Sequence, residues 1–187
     1  MRRSLLAIAA ALALTTACAA QDGTPKPATT TATSVPASTA PSSARPKEVL
    51  LDGEDPCQMV TAEQLATMQF EGPGRTGTDS TYKSPYCSWT ATGQSIQLIP
   101  VTTEGIEEWT DGKRQGQSTE ADPVEGFPAI TVILPDDLNQ CDLFVDTAEG
   151  QYLSTTYSVS PSFKDRFPEP CDGARKLAEA AMQNLLK

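Results

Sequence analysis

Five cysteines, Cys18, Cys57, Cys87, Cys141 and Cys171, constrain this chain of 187 residues more than any other feature. Cys18 stands apart behind an apolar run, which leaves four, an even number. None of the four lies in a Cys-x-x-Cys pair and the chain contains no histidine, so zinc, haem and thioredoxin-like readings lose their usual ligands together. No metal and no cofactor is expected. In an oxidising compartment the four read as two disulfides. Three pairings are open. Cys57 with Cys87 and Cys141 with Cys171 are the favoured pairs, each closing a loop of about thirty residues and contributing roughly 3–4 kcal/mol in the chain-entropy picture. The rival joins Cys57 to Cys171 and Cys87 to Cys141, linking two helix starts and two strands, and the sequence leaves it open.

The position of Cys18 implies export. Arg2-Arg3 is followed by the apolar run Leu5 to Leu14 and then small residues, the three regions of a secretory signal. That run is about ten residues long, half the roughly twenty that a spanning helix needs. Leu14-Thr15-Thr16-Ala17-Cys18 resembles a bacterial lipobox in its permissive form, with Thr15 where Leu is usual. A signal peptide over 1–17 and a lipidated Cys18 are therefore expected. Two acyl chains hold a protein at a membrane where a single chain binds marginally. The alternatives are an ordinary cut around Ala17-Cys18-Ala19, giving a freely secreted domain, and a twin-arginine route, which lacks a Ser or Thr before the arginine pair.

From Cys18 to residue 49 the chain is dominated by Thr, Ser, Ala and Pro, with Pro25, Pro27, Pro36, Pro41 and Pro46 and no aromatic residue. Such a stretch buries too little apolar surface to offset its ordering entropy and is expected to be a disordered spacer. The folded unit is expected over 50–187, a single α+β domain. Losing Arg2 and Arg3 with the leader lowers the 14 basic residues to 12 against 24 acidic ones, a formal charge of −12. Charge of that sign repels nucleic acid and anionic headgroups.

Local patterns give the elements. Thr61-Ala62-Glu63-Gln64 is a capping box, and Val60 and Leu65 stand at the positions of a hydrophobic staple, so a short helix runs from Ala62 to about Met68. The polar, Gly-rich stretch from Gly72 to Ser84 is expected to be a mobile loop. Strand-like runs follow at 86–92, 95–101, 129–134, 141–147 and 151–159. Ile130/Val132/Leu134, Leu143/Val145 and Leu153/Thr155/Tyr157/Val159 each share a face, and Ala148-Glu149-Gly150 turns the last two runs into a hairpin. A short helix is expected around 104–110, between Thr103 and Gly112. With Asp172 as N-cap, Ala174, Leu177, Ala178, Ala181, Met182 and Leu185 form the apolar stripe of a final helix. The sum is an antiparallel sheet of about five strands, packed on one face by an N-terminal and a C-terminal helix.

Asp55-Pro56-Cys57, Val60-Thr61-Ala62-Glu63-Gln64-Leu65, Cys87-Ser88-Trp89, Gly126-Phe127-Pro128-Ala129, Cys141-Asp142-Leu143-Phe144-Val145 and Cys171 opening an Ala-rich helix resemble, in that order, an actinobacterial lipoprotein family, domain of unknown function 3558. The resemblance covers the whole folded part and implies a cell-surface lipoprotein. It brings no activity and no catalytic residues.

Without histidine, every catalytic set that needs one is excluded, and the chain has no nucleophile elbow, phosphate loop or dinucleotide fingerprint. Catalysis would fall to carboxylates facing each other across a cleft. The candidates are Asp142 with Asp146, Glu107-Glu108 and Asp136-Asp137; the first pair lies opposite Leu143 and Val145, which reads as a solvated outer face. Asp52, Glu54 and Asp55 lack the Gly and distal Glu of a calcium loop. Trp89, two residues beyond Cys87, reads as an indole packed on a disulfide. Tyr82, Tyr86 and an exposed Trp109 form the candidate ligand surface. The leading expectation is a monomeric, non-catalytic binding or accessory module at the outer face of the plasma membrane, recognising an envelope protein, a glycan or a small ligand. A carboxylate hydrolase of cell-wall material and a carrier of an apolar ligand are the alternatives.

Overall fold

The computed structural model describes residues 44–187. Cys18, the signal segment and most of the expected spacer lie outside the described residues. The described chain is an α+β fold built on one antiparallel sheet of seven strands in the order β1-β2-β3-β7-β6-β5-β4. Five of them match the expected runs to within one or two residues: β2 (Pro85–Ala91), β3 (Gln94–Val101), β5 (Phe127–Ile133), β6 (Gln140–Ala148) and β7 (Gln151–Val159).

The expected count of about five was short by the two edges. β1 (Arg75–Thr78) lies inside the stretch read as a mobile loop, and β4 (Gln117–Val124) follows the short second helix. Both are edge strands whose side chains are mostly exposed, so neither carries the apolar alternation that betrays a strand. β4 also contains Pro123 and a bulge between Ala121 and Val124, both devices that stop further strands from adding. Arg175 covers that bulge, donating to Asp122 O at 2.6 Å.

One sheet face is covered by α3 (Pro170–Leu185), which packs on β6 and β7. Ala174, Leu177, Ala178, Ala181 and Met182 are all fully buried, as their stripe required, and burying side chains the size of Leu177 and Met182 is worth roughly 1.5–3 kcal/mol each. They meet Ile96, Leu98, Leu143, Val145, Leu153, Tyr157 and Val159. The helix starts two residues before Asp172, with Pro170 at its first position and Glu169 as a cap that makes no side-chain bond. Proline at that place has no amide to lose and a preset φ, so it outcompetes a capping side chain.

α1 (Ala62–Thr67) has the full capping box: Thr61 N donates to Gln64 Oε1 at 2.8 Å and Gln64 N donates to Thr61 Oγ1 at 3.2 Å. It ends at Thr67, with Met68, its expected last residue, as the C-cap. Gln69 takes φ +65° while Gln69 N and Phe70 N donate back to Ala66 O and Leu65 O, a Schellman turn with Gln where Gly is usual. α1 flanks α3 through Asn184, which donates to Gln64 Oε1 at 2.7 Å and to Met59 O at 2.9 Å. The fold also takes in residues ahead of Leu50. Val49 is buried and donates to Thr147 O at 2.8 Å, and Arg45 pairs with Asp146 at 2.7 Å.

The disulfides are Cys57–Cys87 and Cys141–Cys171, with Cα separations of 5.1 and 5.0 Å. The first ties the segment before α1 to β2, and the second ties the start of β6 to the first turn of α3. Trp89 lies on the same face as Cys87, buried against the bridge with Gly74 between them.

Candidate functional site

The far face of the sheet, opposite α3, divides into a covered part and an open part. The cover is the connection from β3 to β4, residues 102–116, which includes α2 (Glu107–Thr110), together with the loop that carries Tyr82. α2 is shorter than expected, and its N-cap position, Ile106, makes no side-chain bond. Beneath the cover lie Ile99, Val101, Ile130, Val132, Phe144 and Tyr152. Ile130 and Val132 therefore point away from the Leu143 and Val145 face, giving the central strands apolar residues on both sides.

Tyr82, Tyr86 and Trp109, the candidate ligand surface, gather in this second cluster, and the expectation of an exposed Trp109 is corrected. Its indole is 9% exposed, packs on Phe144 with ring centroids 4.9 Å apart, and donates from Nε1 to Tyr152 Oη at 3.0 Å. Tyr152 Oη in turn donates to Glu104 Oε1 at 2.8 Å, and Arg114 grips the same carboxylate through Nε at 2.8 Å and through its second nitrogen. The Arg114 guanidinium lies 5.3 Å from the Tyr82 ring centre. Burial first, then the neighbouring Tyr82 phenol and Glu104, push the Tyr152 hydroxyl far above the ordinary tyrosine value, so it remains a hydrogen-bond donor at every physiological pH. Tyr82 is raised by burial as well. This network closes a core. Tyr82 and Tyr86, both half-buried, form its outer margin.

Beyond that margin the face is open and polar. Strand register places two rows side by side: Ser88, Gln97, Thr156 and Asp142 in one, Thr90, Ser95, Ser158 and Gln140 in the next. Every member is a hydroxyl, an amide or a carboxylate. Thr156 Oγ1 donates to Asp142 Oδ1 at 2.6 Å, Gln140 Nε2 approaches the same atom at 3.4 Å, and Ser158 Oγ donates to Gln140 Oε1 at 3.0 Å. The side chains of Ser95 and Gln97 make no hydrogen bond among the described residues. The second row runs into a depression of about 380 Å³ walled by Thr90, Gly93, Ser95, Asn139, Ser158 and Ser160. Asn139 Oδ1 is buried there without a partner among the described residues.

Asp142 and Asp146 are less solvated than the outer face expected of them. Asp142 is partly buried, and that burial raises its carboxyl above the ordinary value against the pull of Thr156 and Gln140, with Asp137 near enough to raise it further. Asp146 is raised by burial too, although Arg45 opposes the shift. Glu108 pairs with Lys113 at 2.7 Å. Asp55 Oδ1 accepts from Cys57 N at 2.9 Å, and Asp52 accepts from the Gln151 amide. No group of three or more His, Cys, Asp or Glu side chains is placed to hold a metal among the described residues. No helix there is long and apolar enough to cross a membrane.

The polar rows were not singled out from the sequence. Their signal is present as alternate positions: Ser88 and Thr90, Ser95 and Gln97, Gln140 and Asp142, Thr156 and Ser158. Joining them requires the strand order β2-β3-β7-β6, which brings the fourth of these strands between the second and third. No curated protein and no solved structure matches the chain. One family model, described as "Protein of unknown function (DUF3558)", matches residues 13–184. Nearly the whole chain, from before the first cysteine into the last turn of the final helix, falls within that match, and the protein belongs to the DUF3558 family.

Proposed function

We propose that this protein is a non-catalytic binding module of the cell envelope, held at the outer face of the plasma membrane by a lipid on Cys18, and that the open half of the sheet recognises a neutral glycan. The two polar rows carry this reading. Hydroxyls and amides offer both donors and acceptors, as a sugar's hydroxyls require, and apart from Arg75, which register sets beside Ser88 at the β1 edge, the rows bring in no basic side chain that would favour a polyanion. The half-buried Tyr86 ring at their margin supplies an apolar surface of the kind a sugar ring covers.

Titrating the full chain with neutral oligosaccharides of hexose and N-acetylhexosamine units, read by NMR shifts, tests the proposal. Saturable shifts should cluster on β2, β3 and β7. Ser95→Ala/Gln97→Ala should weaken binding by roughly tenfold through loss of two or more hydrogen bonds, with an unchanged melting temperature. No saturable shift with any oligosaccharide, or undiminished binding by the variant, overturns the assignment to this face.

One observation favours a carboxylate hydrolase as a second reading, namely the raised carboxyl of Asp142 close to Asp137. It requires release of reducing ends from cell-wall glycan by the native chain and none by Asp142→Asn.

A further inference from the structure

A second concavity, of about 200 Å³, opens where the end of α1, the 3-10 turn Pro161–Arg166 and the first turns of α3 converge. Its floor is already fixed. Tyr157 Oη donates to Gln94 Oε1 at 2.6 Å and Gln94 Nε2 donates to Met68 O at 3.2 Å, with both side chains buried. Gly173 lets the Tyr157 ring lie flat against α3, since a Cβ there would stand 2.4 Å from the ring. The wall includes Gln69, the non-glycine residue held at φ +65°, and the apolar side chains of Met68, Phe167 and Pro168.

The rim runs against the composition of the chain. Acidic residues outnumber basic ones 24 to 14, yet Arg166 and Lys176 line this cavity and no acidic side chain does so among the described residues. Neither cation forms an ion pair among the described residues. The Arg166 guanidinium is instead placed by the Phe163 ring, 5.3 Å from its centre. Two unpaired cations above a fixed, partly apolar floor form a site for an anion with an apolar body.

We infer that this cavity binds a small organic oxyanion, a carboxylate or phosphate monoester on a single ring or short aliphatic body. Arg166 offers the oxyanion a planar fork of N–H donors and Lys176 a point charge. Met68, Phe167 and Pro168 take the body. The volume sets the size limit, because pockets for drug-sized ligands run from roughly 300 to 1,000 Å³. The inference is independent of the glycan reading, which concerns the other face.

NMR titration of the full chain with benzoate, phenyl phosphate, benzyl alcohol and inorganic phosphate tests it. Benzoate and phenyl phosphate should give saturable shifts centred on Gln69, Phe167 and Lys176. The uncharged alcohol and the bodiless phosphate should bind at least about tenfold more weakly. Arg166→Gln/Lys176→Gln, at two exposed positions, should weaken both organic anions by roughly tenfold or more, whereas Lys164→Gln should leave them unchanged. The inference is overturned if neither organic anion saturates, if benzyl alcohol or inorganic phosphate binds as tightly, or if the double variant binds like the native chain.

Discussion

Gly74 is a position where a single added methyl group should be costly to this fold. A Cβ there would stand 2.1 Å from Cys87 Sγ and 2.8 Å from Trp89 Cε2. The backbone at Gly74 is outside the left-handed region, so alanine is conformationally allowed. Taken alone, such a change stabilises by about 0.4–1 kcal/mol through the unfolded chain. The opposing term is larger because neither neighbour can yield: Cys87 is fully buried and bonded to Cys57, and Trp89 is 4% exposed. Overpacking a core by one methyl typically costs about 1–3 kcal/mol, and a rigid disulfide places this site in the upper part of that range. Gly74→Ala should therefore lose about 2 kcal/mol net, a fall in melting temperature of roughly 6 °C for a domain of this size. Urea unfolding of the full chain without reductant reads the loss directly. Repeating the comparison in a Cys57→Ala/Cys87→Ala background removes the sulfur, and the penalty should shrink by at least about 1 kcal/mol. A Gly74→Ala chain as stable as the native one, or an equal penalty in both backgrounds, would refute the steric argument.

Trp109→Ala should cost about 3–5 kcal/mol in the same unfolding assay, because it empties a buried indole site and strips Tyr152 of a donor; a loss under about 1 kcal/mol would mean that Trp109 is not the anchor of the cover. Burial raises the Asp142 carboxyl above its ordinary 3.8, so its contribution to stability is present below the unfolded value and is lost as pH rises through the folded one. Asp142→Asn should accordingly be more stable than the native chain at pH 7, with the difference closing towards pH 4, and a variant less stable at pH 7 contradicts that sign.

Legibility in the sequence followed the source of each element's stability. α1 was readable to the residue at its start because the capping box is a local device, with Thr61 and Gln64 bonding each other across a single turn. The α3 stripe and the β6–β7 hairpin were readable for the same reason, their signals lying within a few residues. β1 and β4 were hidden because an edge strand owes its existence to a neighbour: Arg75 pairs with Ser88 and Gln117 with Ile133, partners that no local pattern names. Trp109 misled because two adjacent acids, Glu107 and Glu108, mark an exposed helix turn, whereas the tertiary fold lays the other side of that turn over Phe144. The disulfides are the two favoured pairs, each closing a loop of thirty residues, and the polar rows waited on strand order.

The widths of the layers explain why part of the far face is left uncovered. Seven strands at about 4.8 Å spacing make a sheet near 30 Å across, while one helix with its side chains is about 10–12 Å wide. α3 can thus shield little more than β6 and β7, and the rest of its face is closed by residues 49–70 and Trp89. On the far face the 102–116 connection reaches the end of the sheet that carries Phe144 and Tyr152 and stops there. The uncovered rows must then be compatible with water. Charged side chains would meet that requirement at least as well, yet these rows hold hydroxyls and amides around a single carboxylate whose burial already disfavours ionisation. Ser95 and Gln97 lie across Ser158 and Thr156, with Asp142 one strand further on, and their side chains are left for water or for a ligand. On the glycan proposal those two side chains exchange water for the hydroxyls of the ligand, which is why the Ser95→Ala/Gln97→Ala variant is its sharpest test.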